Sequence, residues 1–147
     1  MAAARLNRLF EEAQISGFTA GTSHDRETHP EYSRIPINYG NQPSIQTVFI
    51  FNYLDKPWLT QYWLRKVTET VYEGLAPSCG YNGDEDQGLM GSLSVLMKMG
   101  LFSMQGGCSI DPQLEIASPL FHKITIKLNP HYYTGREFVI EAKNNSA

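Results

Sequence analysis

Apolar residues fall at helical spacing along most of the chain and at strand spacing near its end. Leu6, Leu9 and Phe10 mark a helix over residues 2–14. Residues 15–42 are irregular and rich in Gly, Ser, Thr, Pro and His; so long a loop in a compact domain is commonly functional or supported by something else. Residues 43–54 put Ile45, Val48, Phe49 and Asn52 on one helix face, with Pro43 suited to the first helical position. Residues 57–72 open with Pro57 and repeat Leu59, Trp63, Val67 and Val71 every fourth position. Residues 87–99 carry Leu89, Leu93, Leu96 and Met97, and Gly100 suits a C-cap. Beyond Gly100 the period drops to two. Ile124, Ile126 and Leu128 alternate with Thr125 and Lys127, Phe138 to Ile140 form a second strand, and residues 129–135 hold the turn. Helices followed by strands predict an α+β class.

This order has a geometric consequence. Helices joined by short loops are antiparallel neighbours, so helices 43–54 and 87–99 run the same way. Their N-termini lie at one end. The loops Tyr39-Gly40-Asn41-Gln42-Pro43 and Gly83-Asp84-Glu85-Asp86-Gln87 are therefore expected to converge.

The second of these loops crowds three acids before a helix. Asp86 could be an N-cap, with Asp84 and Glu85 adding charge at the positive helix end. That accounts for Asp86 but does not need three acids. A calcium loop of the EF-hand type fails: counted from Asn82, the sixth position is Gln87 rather than Gly and the twelfth is Leu93 rather than Glu. A catalytic pair is the remaining reading. In an extended segment Asp84 and Asp86 face one cavity while Glu85 turns away. Two close carboxyls cannot both ionise freely, which suits general-base chemistry.

Composition narrows the field. The chain has 147 residues, 41% hydrophobic and 18% charged, with net charge −3 and no basic block. One domain with a real core is expected, and nucleic acid is a poor partner for such a charge. No apolar run approaches the ~20 residues that span a bilayer. The N-terminal stretch has Arg5 and Arg8 inside its only hydrophobic run, unlike a signal peptide, and reads as part of a longer frame. Cys79 and Cys108 lack metal-ligand spacing, and nothing else marks an oxidising compartment that would favour a disulfide between them. His24 and His29 read as loop histidines rather than ligands. Trp63 reads as core, whereas Tyr53, Trp58 and Tyr81 could stack on sugar rings. Asn144-Asn145-Ser146 matches a glycosylation acceptor, a pattern short enough to arise by chance. There is no phosphate loop and no G-x-S-x-G elbow.

The motifs Tyr39-Gly40-Asn41-Gln42-Pro43-Ser44, Phe51-Asn52-Tyr53, Pro57-Trp58-Leu59-Thr60-Gln61 and Gly83-Asp84-Glu85-Asp86-Gln87-Gly88 stand in one order, with Glu115 to Phe121 and Lys123 to Ile126 after them. Together they resemble glycoside hydrolase family 92, the calcium-dependent exo-α-mannosidases. The resemblance implies an (α/α)6 barrel beside a β-sandwich, and hydrolysis of terminal α-mannose with inversion. It implies Asp84 and Asp86 as the general-base pair. It implies calcium at the sugar hydroxyls, with Asn41 and Gln42 contributing, and substrate contacts from Asn41, Gln42, Trp58 and Tyr81.

Three departures stand out. Many members carry Glu at the position of Gln42, a polar residue at the position of Leu89, and Ser-Ala-Trp-Tyr where this chain has Gly91-Ser92-Leu93-Ser94. The family's catalytic acid lies in an upstream motif. The chain is thus expected to be the C-terminal part of a catalytic region, with residues 1–102 a partial (α/α)6 barrel and 103–147 a C-terminal β segment. Its expected partners are a mannose-containing glycan and either the upstream half of the enzyme or another copy of itself, with no nucleic acid and no membrane. The family suggests a secreted or periplasmic setting. The alternatives are a non-catalytic carbohydrate-binding or interaction module that retains the motif, and a structural helix-plus-sheet domain in which the acids only cap a helix.

Overall fold

The computed structural model describes residues 1–19, 35–76, 80 and 83–145. Helix α1 spans Ala2–Ile15 and buries Phe10 and Ala13. Two 3₁₀ turns, Gln42–Ser44 and Thr47–Phe49, lead into the short helix α2, Ile50–Tyr53. Helix α3 spans Pro57–Val71 and α4 spans Leu89–Met99. Strands β1, Leu101–Phe102, and β2, Glu115–Ile116, pair antiparallel. Strands β3, Lys123–Lys127, and β4, Glu137–Glu141, form a separate antiparallel hairpin. The described residues are thus helices plus two small antiparallel sheets, as the α+β reading expects.

The expected helix over 43–54 is broken, for a local reason. The Tyr39 hydroxyl accepts the Val48 amide at 3.1 Å, and Thr60 Oγ1 donates to the Val48 carbonyl at 3.2 Å. Both backbone groups of Val48 thus find buried side-chain partners, which compete with the i→i−4 ladder. Asn41 Oδ1 caps the first turn by accepting the Gln42 amide at 2.7 Å. Asn52, expected on the apolar face, is half-buried and donates to Glu115 Oε2 at 2.7 Å.

An aromatic cluster forms one end of the core. Phe10 of α1 stacks on Trp63 of α3 at 5.3 Å between ring centroids, and lies 5.6 Å from Phe51 and 6.4 Å from Phe18. Trp63 Nε1 donates to Asn7 Oδ1 at 2.7 Å, so its polar tip is satisfied while its rings stay dry. Trp63, Val67 and Val71 are buried as the four-residue spacing predicts, and Leu64 joins them from the adjacent row.

Gly100 ends α4 as expected, at φ +72°, with its amide shared between the Leu96 and Met97 carbonyls. A Cβ there would lie 2.8 Å from Pro119 N and 2.9 Å from Ala117 O, so only glycine fits the reversal. The reversal sends the chain into β1, where Phe102 stacks on Phe49 at 4.5 Å and 8° between planes. In the β3–β4 hairpin Ile124 faces Ile140 and Ile126 faces Phe138 on one side. Arg65 of α3 fastens the chain after β4 by donating to Asn145 Oδ1 at 3.0 Å and to the Pro119 carbonyl at 3.3 Å.

Replacing Phe10 by Ala removes the ring at the centre of this cluster. Its cost is expected to be about 3–5 kcal/mol, measured by urea denaturation; a loss below about 1 kcal/mol would mean the cluster does not hold α1.

Candidate active site

The two unusual loops meet. The Asp84 amide donates to the Gly40 carbonyl at 2.8 Å. Gly83 lies flat against Gly40: a Cβ on Gly83 would sit 2.3 Å from Gly40 Cα and 2.5 Å from its oxygen. The contact is backbone against backbone, with no flexible group to yield. The expected convergence therefore holds even though 43–54 is not one helix.

Beside this contact opens a cleft of about 500 Å³. Tyr39, Gly40, Gly83 and Asp84 line it from the loops, Tyr72 from the end of α3, and Met90, Gly91, Ser94 and Lys98 from α4. Tyr39 is wholly buried, and Tyr72 donates its hydroxyl proton to the Tyr39 carbonyl at 2.8 Å. Burial pushes both phenols above their ordinary range; at Tyr39 the bond to the Val48 amide opposes the rise and Tyr72 adds to it. Lys98 Nζ donates to the Tyr72 carbonyl at 2.8 Å, joining the last turn of α4 to the C-terminal end of α3.

The acid run is arranged differently from expectation. Helix α4 begins at Leu89, not at residue 87, and Gly88 occupies the N-cap position. Asp86 is not the cap. Glu85 takes that role: its carboxylate accepts the Gly88 amide and, at 3.3 Å, the Gly91 amide. The Glu85 carbonyl also accepts the Met90 amide at 3.2 Å. The backbone is not extended through the pair, because φ is +53° at Asp86 and +60° at Gln87, followed by Gly88 at +91°. The alternation that would aim Asp84 and Asp86 at one cavity is therefore absent. Asp84 lines the cleft; Asp86 is not among its lining residues, and its Oδ2 is buried with no hydrogen-bond partner among the described residues.

The other candidates are dispersed. Asn41 is half-buried and Gln42 exposed, one and two positions beyond Gly40. Trp58 is 56% exposed at the start of α3, with the Lys56 ammonium 4.8 Å from its ring centroid. It borders grooves shared with Tyr62 and does not line the Asp84 cleft. Tyr53 is exposed and donates to Glu115, a bond that raises its phenol pKa, with desolvation and the Glu115 charge adding to the rise. Tyr81, His24, His29 and Cys79 lie outside the described residues, and the Cys108 thiol is exposed and free. Sequence reasoning missed Tyr39, Tyr72 and Lys98. Their signal is tertiary: Tyr39 opens the noted loop but gave no sign of its buried contacts, and Tyr72 and Lys98 lie at the C-terminal ends of α3 and α4.

Calcium takes six to eight oxygen ligands. Asn41 and Gln42 offer oxygens of the right kind, but Asn41 Oδ1 already accepts the Gln42 amide. Among the described residues no three His, Cys, Asp or Glu side chains gather around one point. The described residues do not by themselves complete a calcium shell.

The sequence profile of the glycosyl hydrolase family 92 catalytic domain matches residues 1–147, so the chain belongs to that family. An uncharacterized secreted glycosidase of Arthroderma benhamiae is 29% identical over 105 residues, which is 71% of this chain and 12% of that protein. The family 92 α-mannosidase of Bacteroides thetaiotaomicron in complex with mannoimidazole superposes with a TM-score of 0.70 at 24% identity, covering 98% of this chain and 17% of its own. A second structure of that enzyme gives 0.68 at 23% identity, with 98% and 16% covered. These superpositions establish a shared fold, and the chain spans only a small part of each relative.

Replacing Gly83 by Ala forces a methyl into the Gly40 backbone. We expect a loss of about 1–3 kcal/mol, the usual cost of overpacking, together with displaced amide resonances at Gly40 and Asp84. An unchanged spectrum with unchanged stability would show that the loops do not touch in solution.

Proposed function

We propose that this chain supplies the base side of an inverting active site that removes terminal α-mannose from glycans. The observation that carries this reading is the Asp84 amide bonded to the Gly40 carbonyl, which joins the acid run to the Asn41–Gln42 loop at one cleft. Family membership and the superposition on an α-mannosidase support the reaction class. In this reading a water sits between the acid run and the sugar. As its oxygen bonds the anomeric carbon, its proton passes to the Asp84–Asp86 pair, the glycosidic bond breaks on the opposite face, and the departing oxygen takes a proton from the acid. Inversion sets acid and base roughly 6.5–9.5 Å apart to admit that water. The acid belongs to the family's upstream motif.

Asp86 supports a share in this work. A buried acceptor left unpaired costs about 1–3 kcal/mol, and a bound water or hydroxyl would relieve it. Asn41 and Gln42 would contribute two neutral oxygens to a calcium ion, with the remaining ligands coming from outside the described residues. Residues 1–102 would belong to a partial (α/α)6 barrel and 103–147 to a C-terminal β segment, with the β1–β2 pair lying across that boundary. A secreted or periplasmic enzyme fits this reading.

In a complete catalytic domain containing this segment, Asp84→Asn and Asp86→Asn are each expected to lower turnover by about 10²–10⁴-fold, with mannoimidazole binding retained. Full turnover in both variants would overturn the base assignment. Loss of fold without loss of rate per folded molecule would leave the acids a purely structural role.

Large apolar side chains lie on the surface, including Leu75 at 99% and Val95 at 58% exposure. In the proposed enzyme the upstream half covers such positions. The 147-residue chain alone is therefore expected to self-associate in sedimentation velocity and to leave an aryl α-mannoside uncleaved. A monomer with robust turnover would contradict both expectations.

A further inference from the structure

We propose that Glu85 is the positioning residue of the acid run, holding the left-handed turn that presents Asp84 and Asp86. The inference rests on the base-pair reading for its functional meaning and on separate geometry for its content. Three consecutive residues, Asp86, Gln87 and Gly88, hold positive φ, and the first two carry side chains that disfavour it. Such a turn persists only when its surroundings over-determine it. Two backbone anchors flank it. Before it, the Asp84 amide is tied to Gly40; after it, α4 begins at Leu89. Glu85 joins the anchors from both of its ends. Its carbonyl accepts the Met90 amide, and its carboxylate reaches across the turn to the Gly88 and Gly91 amides.

Position 91 is shaped for this reach. A Cβ at Gly91 would lie 3.3 Å from Glu85 Oε1, tighter than an ordinary contact. The absence of a side chain therefore leaves the carboxylate room against the first turn of α4. The middle acid then does not face the cleft as a third catalytic carboxyl. It satisfies two orphan amides at the positive helix end and fixes the angle at which its neighbours leave the backbone.

Two variants, made in a complete catalytic domain containing this segment, separate positioning from charge. Glu85→Gln removes the charge but keeps an acceptor of the same reach. Glu85→Asp keeps the charge but is one methylene short of the Gly91 amide. The readouts are exchange of the Gly88 and Gly91 amides and the NMR positions of the Asp84 and Asp86 carboxyl carbons. Positioning predicts exchange at least ~10-fold faster in Glu85→Asp than in Glu85→Gln. It also predicts that the Asp84 and Asp86 resonances are displaced from wild type in Glu85→Asp and hold their places in Glu85→Gln. The reverse order, with Glu85→Gln the more perturbed, would mean that Glu85 acts only through its charge and would overturn the proposal. So would wild-type behaviour of both. Neither readout uses hydrolysis, so failure of the base assignment in Asp84→Asn and Asp86→Asn would leave this result standing, and failure here would leave that assignment untouched.

Discussion

The candidate site of this chain depends on the close approach of two backbones, Gly83 on Gly40. No side chain mediates it, and the Asp84–Gly40 hydrogen bond locks it in register. The contact makes a single cleft out of two loops more than forty positions apart in the chain. It also sets the depth at which the acid run lies, since a methyl on Gly83 would fall well inside van der Waals contact with the Gly40 backbone. Tyr39 completes the anchor from below. Its ring is buried, its amide donates to the Phe18 carbonyl at 2.7 Å, and its hydroxyl holds the Val48 amide. The loop carrying Asn41 and Gln42 is thereby part of the core at one edge and open at the other.

The pattern of apolar residues made the long elements legible. Helices α1, α3 and α4 and the β3–β4 hairpin fall within one or two residues of expectation, because each repeats its apolar spacing over several turns or pleats. The stretch 43–54 did not follow its pattern. Its periodicity is genuine, but Tyr39 and Thr60 claim both backbone groups of Val48, and neither partner is visible in a local window. The β1–β2 pair was not legible at all, since two-residue strands contain no period. Their pairing is dictated by the Gly100 reversal and by Phe102 stacking on Phe49.

The meeting of the two loops was legible in the sequence, but the conformation of the acid run was not. The motifs picked out Asp84, Asp86 and the Asn41–Gln42 loop, and the convergence of the loops followed from helix direction. The division of labour among the three acids did not follow. An alternation argument presumes extended backbone, whereas Asp86 and Gln87 lie in the left-handed region. Once the turn winds that way, Glu85 rather than Asp86 faces the helix amides. Trp58, expected to face substrate, shows the same limit. Trp58 matches a family motif, yet α3 carries it to a surface away from the Asp84 cleft.

Helix α4 is held at both ends by main-chain geometry: the Glu85 turn before Leu89, and the glycine reversal pressed on Ala117 and Pro119 after Met99. A strut pinned in this manner keeps its length and its angle whatever its exposed faces carry. Its exposed positions, Val95 and Leu96 among them, can change without moving the acid turn, whereas Gly91 is tied to that turn, its missing side chain leaving the Glu85 carboxylate room.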